Sequence, residues 1–304
     1  MNRKISSKMG RGKHDQIIGL ALVAPLLIWL LVTVVYPLFY TFSLSLQNQG
    51  LLGSESEFVG LANFIDLFKD TAFWNGLKNS VIWTVGNSIL QGIGGLTVAM
   101  LLNQKFRGKK LLRVWVIFPW IIPTVVMAIV WKWILNSTYG VIGWIIVRLG
   151  FASTPPVFLG DMFNSLPTII FVNSWRWVPF MAVVMLAALQ TIPSEVYEAA
   201  KVDGAGAVKT FFSITLPSIQ GTMSTMFLIG TLFSFNMFDV IWLMTEGGPM
   251  DVTTTLPVMI YKAAFKTFQI SKAATISVVV FFILAAFVLI VTRFSSLRAL
   301  EGED

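Results

Sequence analysis

The sequence predicts an all-α membrane protein of six transmembrane helices, and three observations carry that expectation. Hydrophobic residues make up 56% of the 304 residues and charged residues only 12%, with a mean hydropathy of +0.76. A soluble domain usually carries about 25% charged residues. Apolar runs of bilayer length, about 20 residues, fall at about 17–40, 79–104, 112–134, 166–191, 218–242 and 273–293. Basic residues gather on one side of these runs, as they do on the cytoplasmic side of membrane proteins.

The first run follows Arg3, Lys4, Lys8, Arg11 and Lys13, a layout shared with signal peptides. It is longer than a signal-peptide core, and no small-x-small cleavage site follows. It therefore reads as a retained span behind a basic tail, 1–16. In the second run Gly92, Gly94 and Gly95 let helices approach closely. In the third, Pro119 and Pro123 free backbone carbonyls, which either breaks the helix beside a cavity or only kinks it. The stretch 141–147 is too short to span and is expected at the outer interface.

The fourth run holds Arg176 near its middle, where an arginine costs about 2.5–3.5 kcal/mol to insert. Such a residue should face a cavity or a partner. Trp175 and Trp177 flank it, and aromatic faces beside hydrogen-bond donors suit a sugar ring. A structural pair of Arg176 with Asp239, or with a neighbouring subunit, would also explain it. The fifth run ends near Asp239, and the sixth leads to a tail, 294–304. The polar connections 41–78, 135–165 and 243–272 either cap an external partner or simply link spans. The whole reads as one membrane domain, 17–293, with no soluble domain.

Charge sets the expected orientation. Lys105, Arg107, Lys109, Lys110, Arg113, Lys201, Lys209, Arg293 and Arg298 join the N-terminal cluster on one side. Only Lys69, Lys78, Arg148, Lys262, Lys266 and Lys272 fall on the other. Both termini are thus expected in the cytoplasm. This asymmetry accounts for the net charge of +7, so no nucleic-acid partner is expected. There is no cysteine, hence no disulfide or thiolate metal site. The single histidine, His14, sits in the basic tail and reads as a solvated residue. No Gly-x-x-x-x-Gly-Lys-Ser/Thr sequence cradles a phosphate. No metal site or catalytic constellation stands out.

The segment Glu198–Pro217, EAAKVDGAGAVKTFFSITLP, is polar and glycine-rich between two charge-free stretches, 177–194 and 210–238. Ser194 can cap a helix that begins at Glu195, and Glu198 adds charge near the helix N-terminus. Ala199, Ala200 and Val202 support a short helix that Gly204 and Gly206 end. Such a helix is either an ordered connection or a knob for a soluble partner.

The order Glu198-Ala-Ala200, Gly204, Ile214-x-Leu216-Pro217 resembles the signature loop of ATP-binding-cassette importer permeases. Phe58-Val-Gly-Leu-Ala-Asn63, Asn173-Ser-Trp-Arg-Trp-Val-Pro-Phe180, Phe235-Asn-Met-Phe-Asp239 and Leu243-Met-Thr-Glu-Gly-Gly-Pro249 resemble its maltose-type, sugar-importing branch. The likeness covers about 17–293.

That resemblance implies a type I importer permease fold with cytoplasmic termini, in the bacterial cytoplasmic membrane. It implies a transport subunit rather than an enzyme, with no cofactor of its own. The implied partners are a second homologous permease, a dimer of ATPase subunits holding ATP and Mg, and a periplasmic or surface-tethered solute-binding protein. Glu198, Ala199, Ala200, Asp203 and Gly204, within a loop at 194–217, would couple to the ATPase. Trp120, Thr124, Asn173, Arg176, Trp177, Gly230 and Ser234 would line the sugar site. Gly247, Gly248 and Pro249 would touch the binding protein or gate the outer mouth. Arg176 points to an anionic sugar. The chain lacks the extra N-terminal spans and large inserted outer domain of the maltose permease, which points away from maltose. An amino-acid or polyamine importer is the alternative, although a cationic substrate should draw acids into the cavity. A secondary carrier would need intramembrane acids and would have no use for the Glu198 loop.

Overall fold

The computed structural model describes residues 6–48 and 56–301, with side chains at 18–48 and 56–293. Arg3, Lys4 and residues 302–304, at the ends of the two expected tails, lie outside the described residues. The described parts of those tails are helical. Helix Ser6–Leu30 enters the first span, and helix Ile270–Glu301 continues beyond the sixth.

Among the described residues, four helices are long and apolar enough to cross a membrane: Ile18–Ser45, Thr71–Asn103, Ser165–Leu189 and Ile270–Arg293. Two bent pairs supply the third and fifth spans when each pair counts as one. Lys109–Ile121 and Thr124–Ile134 meet at 97°, and Gln220–Phe235 and Asp239–Thr245 at 44°. Pro123 causes the sharper break. A proline pushes the residue before it out of the α region, and Ile122 is extended. Pro119, the other expected interruption, sits buried inside Lys109–Ile121. The bend in the fifth span was not expected from its apolar run. There the Asn236 amide donates back to the Leu232 carbonyl at 2.9 Å, and Asp239 opens the next helix with a charge suited to its N-terminal turn.

Two wide, π-helical turns, Leu31–Val35 and Phe211–Thr215, stand just ahead of Pro37 and Pro217. A proline has no N–H to donate, and its ring crowds the carbonyl four residues back. A widened turn accommodates both defects. The helix Val141–Arg148 is too short to span, as expected, and Arg148 lies over the Trp144 ring at 5.3 Å.

The chain forms two compact units, residues 1–67 with 263–279 and residues 68–262 with 280–304. In the first, strands Gln47–Asn48 and Glu57–Phe58 pair antiparallel. Gly60 is left-handed, with φ 57°, which lets the N–H groups of Val59 and Gly60 both reach the Leu46 carbonyl. The Asn63 amide donates to the carbonyls of Ser45 and Gln47, each at 2.9 Å. The Phe58–Asn63 motif is thus a clamp on the end of the first span.

In the second unit the helices Thr71–Asn103 and Ser165–Leu189 share two apolar clusters. One centres on Trp83, Ile169, Val172, Val240, Ile241 and Val258. The other centres on Ala99, Leu102, Met185, Leu189, Ile219 and Met226. A Cβ at Gly94 or Gly95 would come within 2.9 Å of Val178 or 2.5 Å of Met181, so these two glycines set the close approach. Gly92, expected in the same role, has open space beside it.

Candidate functional site

Polar side chains lie along the same helices. Asn87 is fully buried. Its carbonyl oxygen accepts from Asn173 Nδ2 at 2.6 Å, Gln91 Nε2 at 3.0 Å and Ser174 Oγ at 3.1 Å. Its own amide donates to the Trp83 carbonyl at 2.8 Å, and the Trp83 indole donates to the Ser234 carbonyl at 2.9 Å. The second, fourth and fifth spans are therefore tied together at this level. Within about one helical turn of these residues, Thr84 Oγ1, Asn173 Oδ1, Arg176 Nε, Trp177 Nε1 and Thr231 Oγ1 are buried without a hydrogen-bond partner in the protein. Folded proteins satisfy nearly all such groups. Among the described residues one further such atom, Thr255 Oγ1, lies elsewhere; the other five concentrate on three packed helices and make this belt a place where the chain offers polar groups it does not use itself.

A row of rings crosses the belt. Trp120 stacks on Phe180 with centroids 5.5 Å apart, and Phe180 meets Trp177 edge-on at 5.9 Å. The Arg176 guanidinium lies over Trp177, 5.5 Å from its centroid. Four groups from two spans thus form one contiguous row of ring contacts ending in a cation. Trp120, Arg176 and Trp177 were expected at the site; Phe180 was not. Its position one helical turn beyond Trp177 was the signal that would have found it. Asp239 attracts Arg176 electrostatically, but the two do not close into an ion pair as Lys262 and Asp251 do at 2.7 Å.

The other expected site residues are placed less directly. Asn173 is fully buried in the Asn87 network. Ser234 is buried, with its carbonyl taken by Trp83. Gly230 is half-buried with open space where a side chain would be. Thr124 is the first helical residue after the 97° break. Trp175 lines a groove of about 360 Å³ with Trp115, Pro119, Phe171, Val178 and Ser174, the last of which also belongs to the Asn87 network.

Toward one end of the unit lies the helix Ser194–Val202. Ser194 does not cap it, contrary to expectation. Pro193 holds the cap position, no side chain bonds the first turn, and Ser194 is already helical. A proline there fits because the first turn leaves its N–H groups unpaired in any case. Gly204 ends the helix with φ 73°, as expected, whereas Gly206 opens the next helix, Ala207–Thr210. Ala200 is buried, while Glu198, Ala199, Val202, Asp203 and Gly204 are exposed.

The segment that follows the fifth span is built differently. Glu246, Gly247, Met250 and Asp251 are all left-handed. Thr245 and Thr253 share a hydroxyl bond at 2.7 Å, and Thr253 donates to the Gly248 carbonyl at 2.8 Å. Asp251 accepts from Lys262 Nζ and from Thr254 Oγ1, each at 2.7 Å. These donors hold the Asp251 carboxyl below its ordinary range, Lys262 contributing most. Gly248 and Pro249 lie half-buried within this knot, and Gly247 is buried.

Within the second unit, spanning helices with two broken spans, a polar belt at mid-helix and an exposed glutamate-alanine helix at one end fit a membrane transport subunit. Residues 91–301 match the binding-protein-dependent transport system inner membrane component family, and the chain belongs to that family. It is an inner-membrane permease of the ABC importer class, a transport subunit and not an enzyme. Among its relatives is the trehalose/maltose transport system permease protein MalF of Thermococcus litoralis, 30% identical over 98% of this chain and 99% of the relative. Another is the sulfoquinovosyl glycerol transport system permease protein SmoG of Agrobacterium fabrum, 33% identical over 88% of this chain and 86% of the relative. A crystal structure of a bacterial ABC transporter involved in the import of the acidic polysaccharide alginate contains a chain of the same fold. Its TM-score is 0.82 at 21% identity, covering 95% of this chain and 98% of that one.

Proposed function

We propose that this chain is the permease subunit of a bacterial ATP-driven importer of a sugar, and that the sugar is anionic. The observation that carries the substrate reading is Arg176. Its guanidinium lies over Trp177 at the end of a row of rings, with Nε buried and unpartnered. Rings suit the apolar faces of a sugar, and a guanidinium holds a carboxylate, sulfonate or phosphate with paired hydrogen bonds. Trp120, Thr124, Asn173, Trp177, Gly230 and Ser234 complete the site in this reading. Both relatives described above are named for sugars, one of them a sulfonated glycoside. The relative named for trehalose/maltose is matched over 99% of its own length, so length alone does not argue against maltose.

The basic excess puts both termini and the Glu198 helix in the cytoplasm. There Glu198, Ala199, Ala200, Asp203 and Gly204 dock on one of two ATPase subunits, which hold ATP and Mg. A second, homologous permease completes the membrane pathway. The Gly247–Pro249 segment faces the periplasm and receives the solute-binding protein or closes the mouth. ATP binding supplies the differential energy that moves the pair between inward-open and outward-open states.

The test is uptake by the reconstituted complex, with its binding protein, of sulfoquinovosyl glycerol and an unsaturated uronate disaccharide, with trehalose as the neutral control. Losing charged hydrogen bonds should cost Arg176→Gln at least about tenfold in uptake of an acidic sugar, with assembly intact. Asp239→Asn should change it by less than about twofold. Loss of assembly in both variants, or unchanged uptake of acidic sugars in Arg176→Gln, rejects substrate contact.

A further inference from the structure

The helix Ser194–Val202 has two faces. Tyr197 and Ala200 turn inward, whereas Val196, Glu198, Ala199 and Val202 are exposed. Among the described residues, one side-chain hydrogen bond joins this helix to any other element. The Tyr197 and Thr215 hydroxyls meet at 3.2 Å. Thr215 is buried and closes the wide turn Phe211–Thr215. The chain then runs through Leu216–Ser218 into Gln220–Phe235, the helix that carries Gly230 and Ser234. The intervening stretch Asp203–Gly206 is mostly exposed and is tied back to the helix by backbone bonds alone.

We infer that the Tyr197–Thr215 hydroxyl pair is the positioning link through which the Ser194–Val202 helix moves the fifth span. The inference rests on the docking of this helix to an ATPase, as proposed above. A partner that grips the exposed face displaces the helix, and the exposed Asp203–Gly206 stretch is a poor strut for passing that displacement on. The hydroxyl pair bypasses it. It joins the inward face directly to the buried end of a widened turn, where helical register can yield. The displacement then enters the helix whose Ser234 carbonyl is bound by Trp83, at the level of the polar belt.

The chain has no cysteine, so Phe233→Cys, at an exposed position of the fifth span, gives a single reporter in this subunit. Maleimide labelling is read on the separated chain from the complete complex, before and after trapping with ATP and vanadate. Trapping should change labelling of the reporter at least about threefold when Tyr197 and Thr215 are intact, a difference beyond the error with which independent effects add. Tyr197→Phe and Thr215→Val should each remove most of that change. The double variant should lose no more than either alone, because both remove one bond. Trapped nucleotide should be the same in all of them. A full labelling response in either single variant overturns the inference. So does a double variant whose loss is the sum of two independent losses, or a loss of trapping in Tyr197→Phe, which would make the hydroxyl part of docking itself. Absence of trapping with both residues intact removes the docking reading and this inference with it.

Discussion

Two glycines with the same left-handed backbone sit in two segments that are built very differently, Gly204 after the Ser194–Val202 helix and Gly247 after the fifth span. Gly204 has φ 73° and Gly247 has φ 89°. A Cβ at Gly204 would meet nothing within 4 Å. A Cβ at Gly247 would run into the Thr254 hydroxyl and come within 2.8 Å of Lys262 Nζ. The surroundings differ in the same sense. Side-chain hydrogen bonds of Thr245, Thr253, Thr254 and Lys262 knit the Gly247 segment to itself, and Asn79 of the second span donates to the carbonyls of Asp251 and Thr254 at 3.2 and 3.1 Å. Ser80 accepts from the Leu256 N–H at 2.8 Å. The Glu198 helix has one side-chain bond and leaves Val202 89% exposed. The Gly247 segment is shaped by its own bonds and fixed to the second span. The Glu198 helix leaves apolar surface uncovered, and under the proposed function that surface is what an ATPase would bury.

The sharpest way to break this contrast is to put the same methyl at both glycines. Gly247→Ala must pay left-handed strain and also displace the lysine that holds Asp251, together about 2–4 kcal/mol. Gly204→Ala carries the left-handed strain only, about 1 kcal/mol. In hydrogen exchange of the intact complex, amides at 247–256 should exchange at least about thirtyfold faster in Gly247→Ala. Amides at 203–206 should change by less than about tenfold in Gly204→Ala. Equal acceleration at both sites would mean the knot contributes no rigidity.

The second test sharpens the other half of the contrast. Burying a valine is worth about 1.5–3 kcal/mol, and an aspartate in its place would bring an unpaired charge into the contact. Val202→Asp should therefore weaken recovery of the ATPase with the purified permease by at least about tenfold. Exchange at 247–256 should stay as it was. Undiminished ATPase recovery would show that the exposed face is not the docking face.

How much of this was legible beforehand depended on the distance over which each signal acts. The spans and the Pro123 break were readable because hydropathy and the steric demand of proline are properties of neighbouring residues. The left-handed turn at Gly204 was readable for the same reason. Ser194 was misread as a cap because Pro193 competes for that position. The bend after Phe235 was missed because an asparagine folding back on its own helix leaves no mark in hydropathy. The site was half legible. Arg176 stands out in an apolar run, and Trp177 beside it. Asn87 and Phe180 do not, since their roles depend on Asn173, Ser174 and Trp120, which only packing brings close. Asn79 and Ser80 likewise read as small polar residues at the start of a span until Asp251, Thr254 and Leu256 are seen against them.

The smallest effect expected is a dependence on pH confined to the knotted end. Lys262 and Thr254 hold the Asp251 carboxylate below its ordinary value of 3.8. A carboxyl depressed on folding contributes stability that is present above its unfolded pKa and is lost as pH falls through the folded one. The loop should thus be indifferent to pH from about 8 to 5 and loosen only below about 4. Because the Asp251 side chain is 71% exposed, solvent screens the pair and the change should be small. A spin label at Met250, at the exposed tip beside it, would report the loosening as faster motion. Asp251→Asn leaves Thr254 a partner but removes the charge that holds Lys262. Its label should be somewhat more mobile at every pH and show no further step in acid. Loosening between pH 7 and 5 would assign the order of this loop to some group other than Asp251. No step in either protein would show that the threonines and Asn79 hold it without help from the ion pair.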